Sequence, residues 1–74
     1  MTTLKEVEGV IKKGPGSEYL CETEEGLRYF IHPVTIKSGV ATGQKIRGKA
    51  HVYLVPFNGR NGNLLPETAE ILPG

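Results

Sequence analysis

The chain contains no Trp and no Asp, a single Cys, and no long apolar run. Each shortage excludes something. One thiol, Cys21, cannot close an intramolecular disulfide, so no disulfide framework supports the fold. A lone free thiol fits a reducing compartment. Without Asp, every carboxylate is a Glu, and the Glu residues fall in expected turns and strand exteriors. No carboxylate pair, Cys-His-Asn set or Gly-Lys-Ser/Thr phosphate loop presents itself, so no catalytic residue is assigned. Cys21, His32 and His51 lack the spacing of metal ligands, and no metal or other cofactor is expected. No apolar stretch approaches the roughly 18–20 residues that span a bilayer. Met1–Lys5 gives way to charge rather than to the apolar centre of a secretory signal. The expectation is a cytoplasmic, non-enzymatic protein with no membrane contact. A net charge of +1 also removes the bulk positive field of a tight electrostatic duplex binder. Single-strand binding by stacking needs only a few cations and stays open.

What remains is a chain of 74 residues, enough for one domain over 1–74 with its core within about 7–72. Ten Gly and five Pro argue for short strands rather than long helices. Val7–Lys13 alternates as a first strand, with Ile11 and Gly9 inward and Glu8, Val10 and Lys12 outward. Gly14-Pro15-Gly16 is a turn. Glu18–Thr23 is a second strand, read with Leu20 inward and Tyr19 and Cys21 outward. Glu24-Glu25-Gly26 is a hairpin turn with Gly26 left-handed. Leu27–His32 is a third strand that Pro33 ends. Val34–Gly43 is a loop with room for one helical turn, from which Val34 and Ile36 can plug the core. Gln44–Val55 is the longest alternating stretch, with Ile46, Gly48, Ala50, Val52 and Leu54 on its inner face. Phe57–Asn63 reads as a loop with two Asn-Gly steps. Thr68–Leu72 reads as a fifth strand, the alternative being a short helix begun by Pro66-Glu67. These elements predict an all-β chain: a small five-stranded antiparallel barrel of the OB type.

Leu27–Pro33 is the most informative stretch. Its period of two puts Leu27, Tyr29 and Ile31 on one face and Arg28, Phe30 and His32 on the other. Burying Phe30 would drag two polar neighbours inward, so Phe30 is expected outside. The alternative is a one-residue slip that exchanges the faces.

Gly9-Val10-Ile11-Lys12, Phe30-Ile31-His32, Gly43-Gln44-Lys45-Ile46, Asn58–Gly62 and Ala69–Leu72 resemble, in this order and spacing, a divergent cold-shock domain. The resemblance runs from about Glu8 to Leu72. It implies exposed aromatics on the second and third strands that stack on bases of single-stranded RNA or DNA. The positions that carry over are Lys12, Tyr19, Phe30 and His32. The chain departs from that pattern where the family's Trp-Phe pair is replaced by Lys13-Gly14. It departs again at Ser17, where an aromatic is missing, and at Pro33, which replaces the aromatic after the His.

Two functions follow as expectations. One is a single-strand nucleic-acid-binding module in which Tyr19, Phe30 and His32 stack and Lys12, Lys13 and Arg28 neutralise phosphates. The other is a barrel that binds a protein, or a second copy of itself, through the same aromatics. A further basic row, Lys45, Arg47, Lys49 and His51, is either a phosphate track or protection for an edge strand.

Overall fold

The computed structural model describes residues 3–14, 16, 18–35 and 42–73. Six strands and one 3-10 turn make up the described fold, and no α-helix occurs among the described residues. The strands are β1 (Thr3–Lys13), β2 (Tyr19–Glu22), β3 (Arg28–Ile31), β4 (Lys45–Phe57), β5 (Arg60–Leu64) and β6 (Glu70–Ile71). The sheet runs β1-β2-β3-β5-β4-β6, and a further β1–β4 pairing closes the first five strands into a barrel. This is an OB-like barrel with one extra strand.

Two details of the expected barrel are corrected. First, the strand that completes the barrel begins within Phe57–Asn63, the stretch expected to be a loop, and runs on to Leu64. Asn58 and Gly59 have φ of 53° and 75°, so both central residues of the turn are left-handed. This is the two-residue hairpin connection that matches strand twist, and it sends the chain back as β5. The stretch expected as the fifth strand keeps only Glu70–Ile71, which pairs with β4 at Ile46↔Ile71 and Arg47↔Glu70. Second, the barrel is not wholly antiparallel. β3 and β5 run parallel, with Tyr29↔Gly62, Phe30↔Asn63 and Ile31↔Leu64 in register.

β1 is longer than the alternation over Val7–Lys13 suggests because β4 runs beside it from Thr3↔Val52 to Val10↔Lys45. Its second half then crosses to β2, from Val10↔Glu22 to Lys13↔Tyr19. The hand-over needs Gly9. A Cβ there would run into the carbonyl oxygen of Glu22 and sit 3.0 Å from Cys21 Sγ. Gly26 is left-handed at 85°, as expected for its turn. Pro33 ends β3 and opens the 3-10 turn Pro33–Thr35. Val34 is 64% exposed and plugs nothing, and the expectation for Ile36 lies outside the described residues.

The core is thin. Val7, Ile11, Cys21, Tyr29, Ile31, Ile46, Ala50 and Leu64 form one buried cluster. Tyr19, Leu27, Val52, Ala69 and Ile71 pack around it. The inward face of the second strand is therefore the opposite of the one expected. Cys21 stands across from Ile11 on β1 and Tyr29 on β3, and Tyr19 across from Ile31. Buried partners on both sides oblige Cys21 to point inward, where it fills the site as a small apolar group, and Tyr19 shares that face through Ile31, its partner on β1 being the exposed Lys13. Leu20 is buried as expected, at 5% exposure, but it stands across from Lys12 and Phe30, away from the main cluster.

Candidate nucleic-acid interface

The pairing registers place one row of side chains around the outside of the barrel. Lys12 faces Leu20, Leu20 faces Phe30, Phe30 faces Asn63, and Asn63 faces His51. Beside it runs a second row, Val10, Glu22 and Arg28. It continues to Asn61, whose Oδ1 accepts the Arg28 backbone N–H at 2.9 Å. Tyr29 and Ile31 are each 1% exposed while Phe30 is only half-buried, so β3 turns the faces the way its polar neighbours require.

Phe30 is not bare. The Arg60 guanidinium lies over its ring, 4.2 Å from the centroid. Arg60 Nη2 donates to Glu18 Oε2 at 2.9 Å, and both side chains are about a quarter exposed. Arg60 Nε is buried and has no hydrogen-bond partner. The cation–π contact is worth about 0.5–2 kcal/mol depending on desolvation, and the quarter-exposed ion pair on the order of 1 kcal/mol. Sequence reasoning missed Arg60, Glu18 and Asn63. The available signal was Asn58-Gly59, which, read as a hairpin turn, brings Arg60–Leu64 back as a strand.

The expected site residues divide. Lys12, Arg28 and Phe30 share the outer face. Lys12 Nζ and Arg28 Nε lie 3.9 and 3.6 Å from the two oxygens of Glu22, so one carboxylate holds both cations. A pocket of about 190 Å³ is lined by Lys12, Lys13, Gly14, Leu20, Glu22 and Arg28, but Lys13 stands across from Tyr19 and so belongs to the other face of the strand. His32 is exposed at the end of β3. Its Nδ1 accepts the Val34 backbone N–H at 3.1 Å, so in the neutral ring the proton sits on Nε2. Tyr19 does not join them, because it packs against the core cluster.

The basic row on β4 has a different setting. Lys45, Arg47 and Lys49 are exposed, but the acids of β1 stand across from two of them, Glu8 from Arg47 and Glu6 from Lys49. Arg47 also pairs with Glu70 at 3.3 Å. β4 is bonded to β1, β5 and β6, so these cations guard no free edge. Opposite charges directly across a ladder are the simpler account of the row.

Larger cavities lie elsewhere. One of about 640 Å³ is bordered by Glu6, Glu8, Glu22, Glu24 and Glu25 together with Lys5, Lys12 and Lys45. Burial and nearby Glu8 push the Cys21 thiol up to about 11, so it is protonated and unreactive at neutral pH. Burial, with Glu25 and Cys21 adding to it, raises Tyr29. No group of three or more His, Cys, Asp or Glu among the described residues is placed to hold a metal ion. No helix among the described residues is long and apolar enough to cross a membrane.

No family model, curated protein or solved structure matches this chain.

Proposed function

We propose that this chain is a cold-shock-like, non-enzymatic module that binds single-stranded RNA or DNA across the outer face of β2, β3 and β5. The observation that carries the reading is Phe30, partly exposed on a sheet face with a guanidinium on its ring and Arg28 and Lys12 on the same face. An aromatic platform beside cations is the arrangement that single strands use, since every base offers a π-face and every nucleotide a phosphate. Asn63, one strand along, accepts the Tyr53 hydroxyl at 2.7 Å through Oδ1, which leaves its amide N–H groups to donate to a base edge. Binding is weak to moderate, because Glu18 and Glu22 compete with phosphates for Arg60, Lys12 and Arg28.

That same neutralisation favours the second reading, a barrel that docks on another protein. Titration of fluorescent oligonucleotides at low salt separates the two. Phe30→Ala weakens binding roughly 5- to 100-fold if a base stacks there. With Lys12, Arg28 and Arg60 engaged, log K falls against log salt with a slope no steeper than about −2. Absence of binding at low salt, or a Phe30→Ala protein that binds like the parent, rejects the proposal.

A further inference from the structure

β1 changes partner part-way along, and the change leaves half of one edge without a strand. In an antiparallel strand, successive residues turn their N–H and C=O groups to opposite edges. Ile11 N–H donates to Gln44 O at 2.8 Å, so the odd-numbered residues of β1 turn their backbone groups to β4. Gly14 N–H donates to Glu18 O at 2.9 Å, so the even-numbered residues turn theirs to the side of β2. β2 meets that edge only as far as Val10↔Glu22. There the chain turns away. Thr23 N–H donates to Leu27 O at 2.9 Å and Gly26 N–H to Thr23 O at 3.0 Å, so the β2–β3 turn closes on itself. Leu4, Glu6 and Glu8 therefore present their N–H and C=O groups to an edge on which no strand lies among the described residues.

A groove runs along this edge. It is the cavity of about 640 Å³, with residues 5–10 of β1 on one side and residues 22–25 of the turn on the other. Val10 and Leu27, both half-buried, give it apolar surface. Its rim carries five Glu against three Lys, and one of the Lys, Lys12, is already held by Glu22. Glu6, Glu8, Glu24 and Glu25 are in no ion pair among the described residues. Lys49 and Arg47 stand across the ladder from Glu6 and Glu8, but Arg47 is taken by Glu70 at 3.3 Å. Charges on an open edge turn away indiscriminate pairing, so the edge admits a strand that brings the opposite charge.

A second copy of the chain does not bring it. In a two-fold antiparallel pairing, residues whose backbone groups face the edge must meet one another, so even numbers meet even numbers. The registers that engage the whole edge then set Glu6 on Glu6 or Lys5 on Lys5, like charge on like. A nucleic-acid strand would set phosphates against the surplus of carboxylates and has no backbone ladder to offer.

We propose that the free edge of β1 takes up an extended segment of another protein as an added strand, with Lys or Arg at alternate positions. The backbone of the segment pairs with Leu4, Glu6 and Glu8. Its basic side chains lie beside Glu6 and Glu8, and the apolar side chains between them lie beside Val7. Glu24 and Glu25 flank the other wall of the groove. This site uses neither Phe30 nor Arg60 and stands apart from the nucleic-acid reading.

The probe is a fluorescein-labelled hexapeptide of alternating Lys and Val, with alternating Glu and Val as its control. In anisotropy titrations the Lys peptide should bind at least about tenfold more tightly than the Glu peptide, and the double variant Glu6→Lys, Glu8→Lys should reverse the preference. Amide hydrogen exchange should slow at Leu4, Glu6 and Glu8 when the Lys peptide is added. N-methylation of the peptide separates strand addition from charge attraction. Methyl groups on one alternate set of residues should abolish binding, and on the other set should be tolerated. No binding of the Lys peptide, binding that tolerates both methylated sets, or unchanged exchange at the three amides overturns the inference. If those amides slow with protein concentration alone and sedimentation gives a dimer, the edge belongs to a second copy and the inference fails.

Discussion

Gly62→Ala tests whether the barrel closes as described. Gly62 sits on β5 between two neighbours, with Tyr29 of β3 on one side and Val52 of β4 on the other. A Cβ at this position would drive into the carbonyl oxygen of His51, with the His51 carbonyl carbon and Tyr29 Cδ1 each at 3.0 Å. The obstacle is sheet backbone, which cannot rotate aside as a side chain can, so β4 and β5 must part or Tyr29 must shift within the core. Overpacking of this kind costs about 1–3 kcal/mol, and more where nothing can yield. A domain of this length has a total stability of only about 4–11 kcal/mol. At roughly 4–8 °C per kcal/mol, the melting temperature should fall by about 4–24 °C. Far-UV circular dichroism during thermal and urea unfolding measures it. Gly59→Ala is the control, because position 59 has open space and only its φ of 75° to oppose a side chain. A left-handed residue costs about 1–2 kcal/mol. If Gly62→Ala lies within about 0.5 kcal/mol of the parent, or if Gly59→Ala is the more damaging, the contact between β5 and β4 is not as described.

Glu22→Gln frees Lys12 and Arg28 from their shared carboxylate and should tighten oligonucleotide binding severalfold, with a steeper salt dependence; unchanged affinity would show that these cations do not meet phosphate. Cys21 keeps its proton to about 11 in the fold against about 9 when unfolded, so the unfolded state loses protons first. Stability should then fall as pH rises from about 9 to 11, by at most about 2–3 kcal/mol, and Cys21→Ala should flatten that slope in alkaline urea titrations. Tyr29→Ala empties the largest fully buried side chain and should cost about 3–5 kcal/mol, whereas Leu54→Ser, at a fully exposed position, should stay within about 0.5 kcal/mol; comparable losses would contradict the placement of one or the other.

Local chemistry made the strands of the first half readable. The alternation in Leu27–His32, the left-handed Gly26 and the stop at Pro33 all depend on nearest neighbours, and the structure has them as read. The alternation of β4 was legible for the same reason, although Leu54 left the inner face where the ladder slips. Tyr19-Leu20-Cys21 was misread because both faces of that strand carry apolar side chains. No local pattern distinguishes them, and the choice falls to the partners on β1 and β3. Arg60–Leu64 was read as loop because two Asn-Gly steps sit close together and only one of them is the turn. Asn61-Gly62 lies within β5, where a residue without a side chain is what a crowded strand junction requires.

The sequence by itself determined an all-β chain, its turns, and an outward Phe30 flanked by cations, because these follow from propensity, period and the cost of burying charge. Only the tertiary structure decided which strands meet. The parallel β3–β5 pairing joins residues with no local signal for each other, and it sets Asn63 beside Phe30. The hairpin return brings Arg60 over the ring and ties it to Glu18, a residue far away in the chain. A cation–π contact and an ion pair of that kind depend on distance in space alone, and the order of residues along the chain does not encode them.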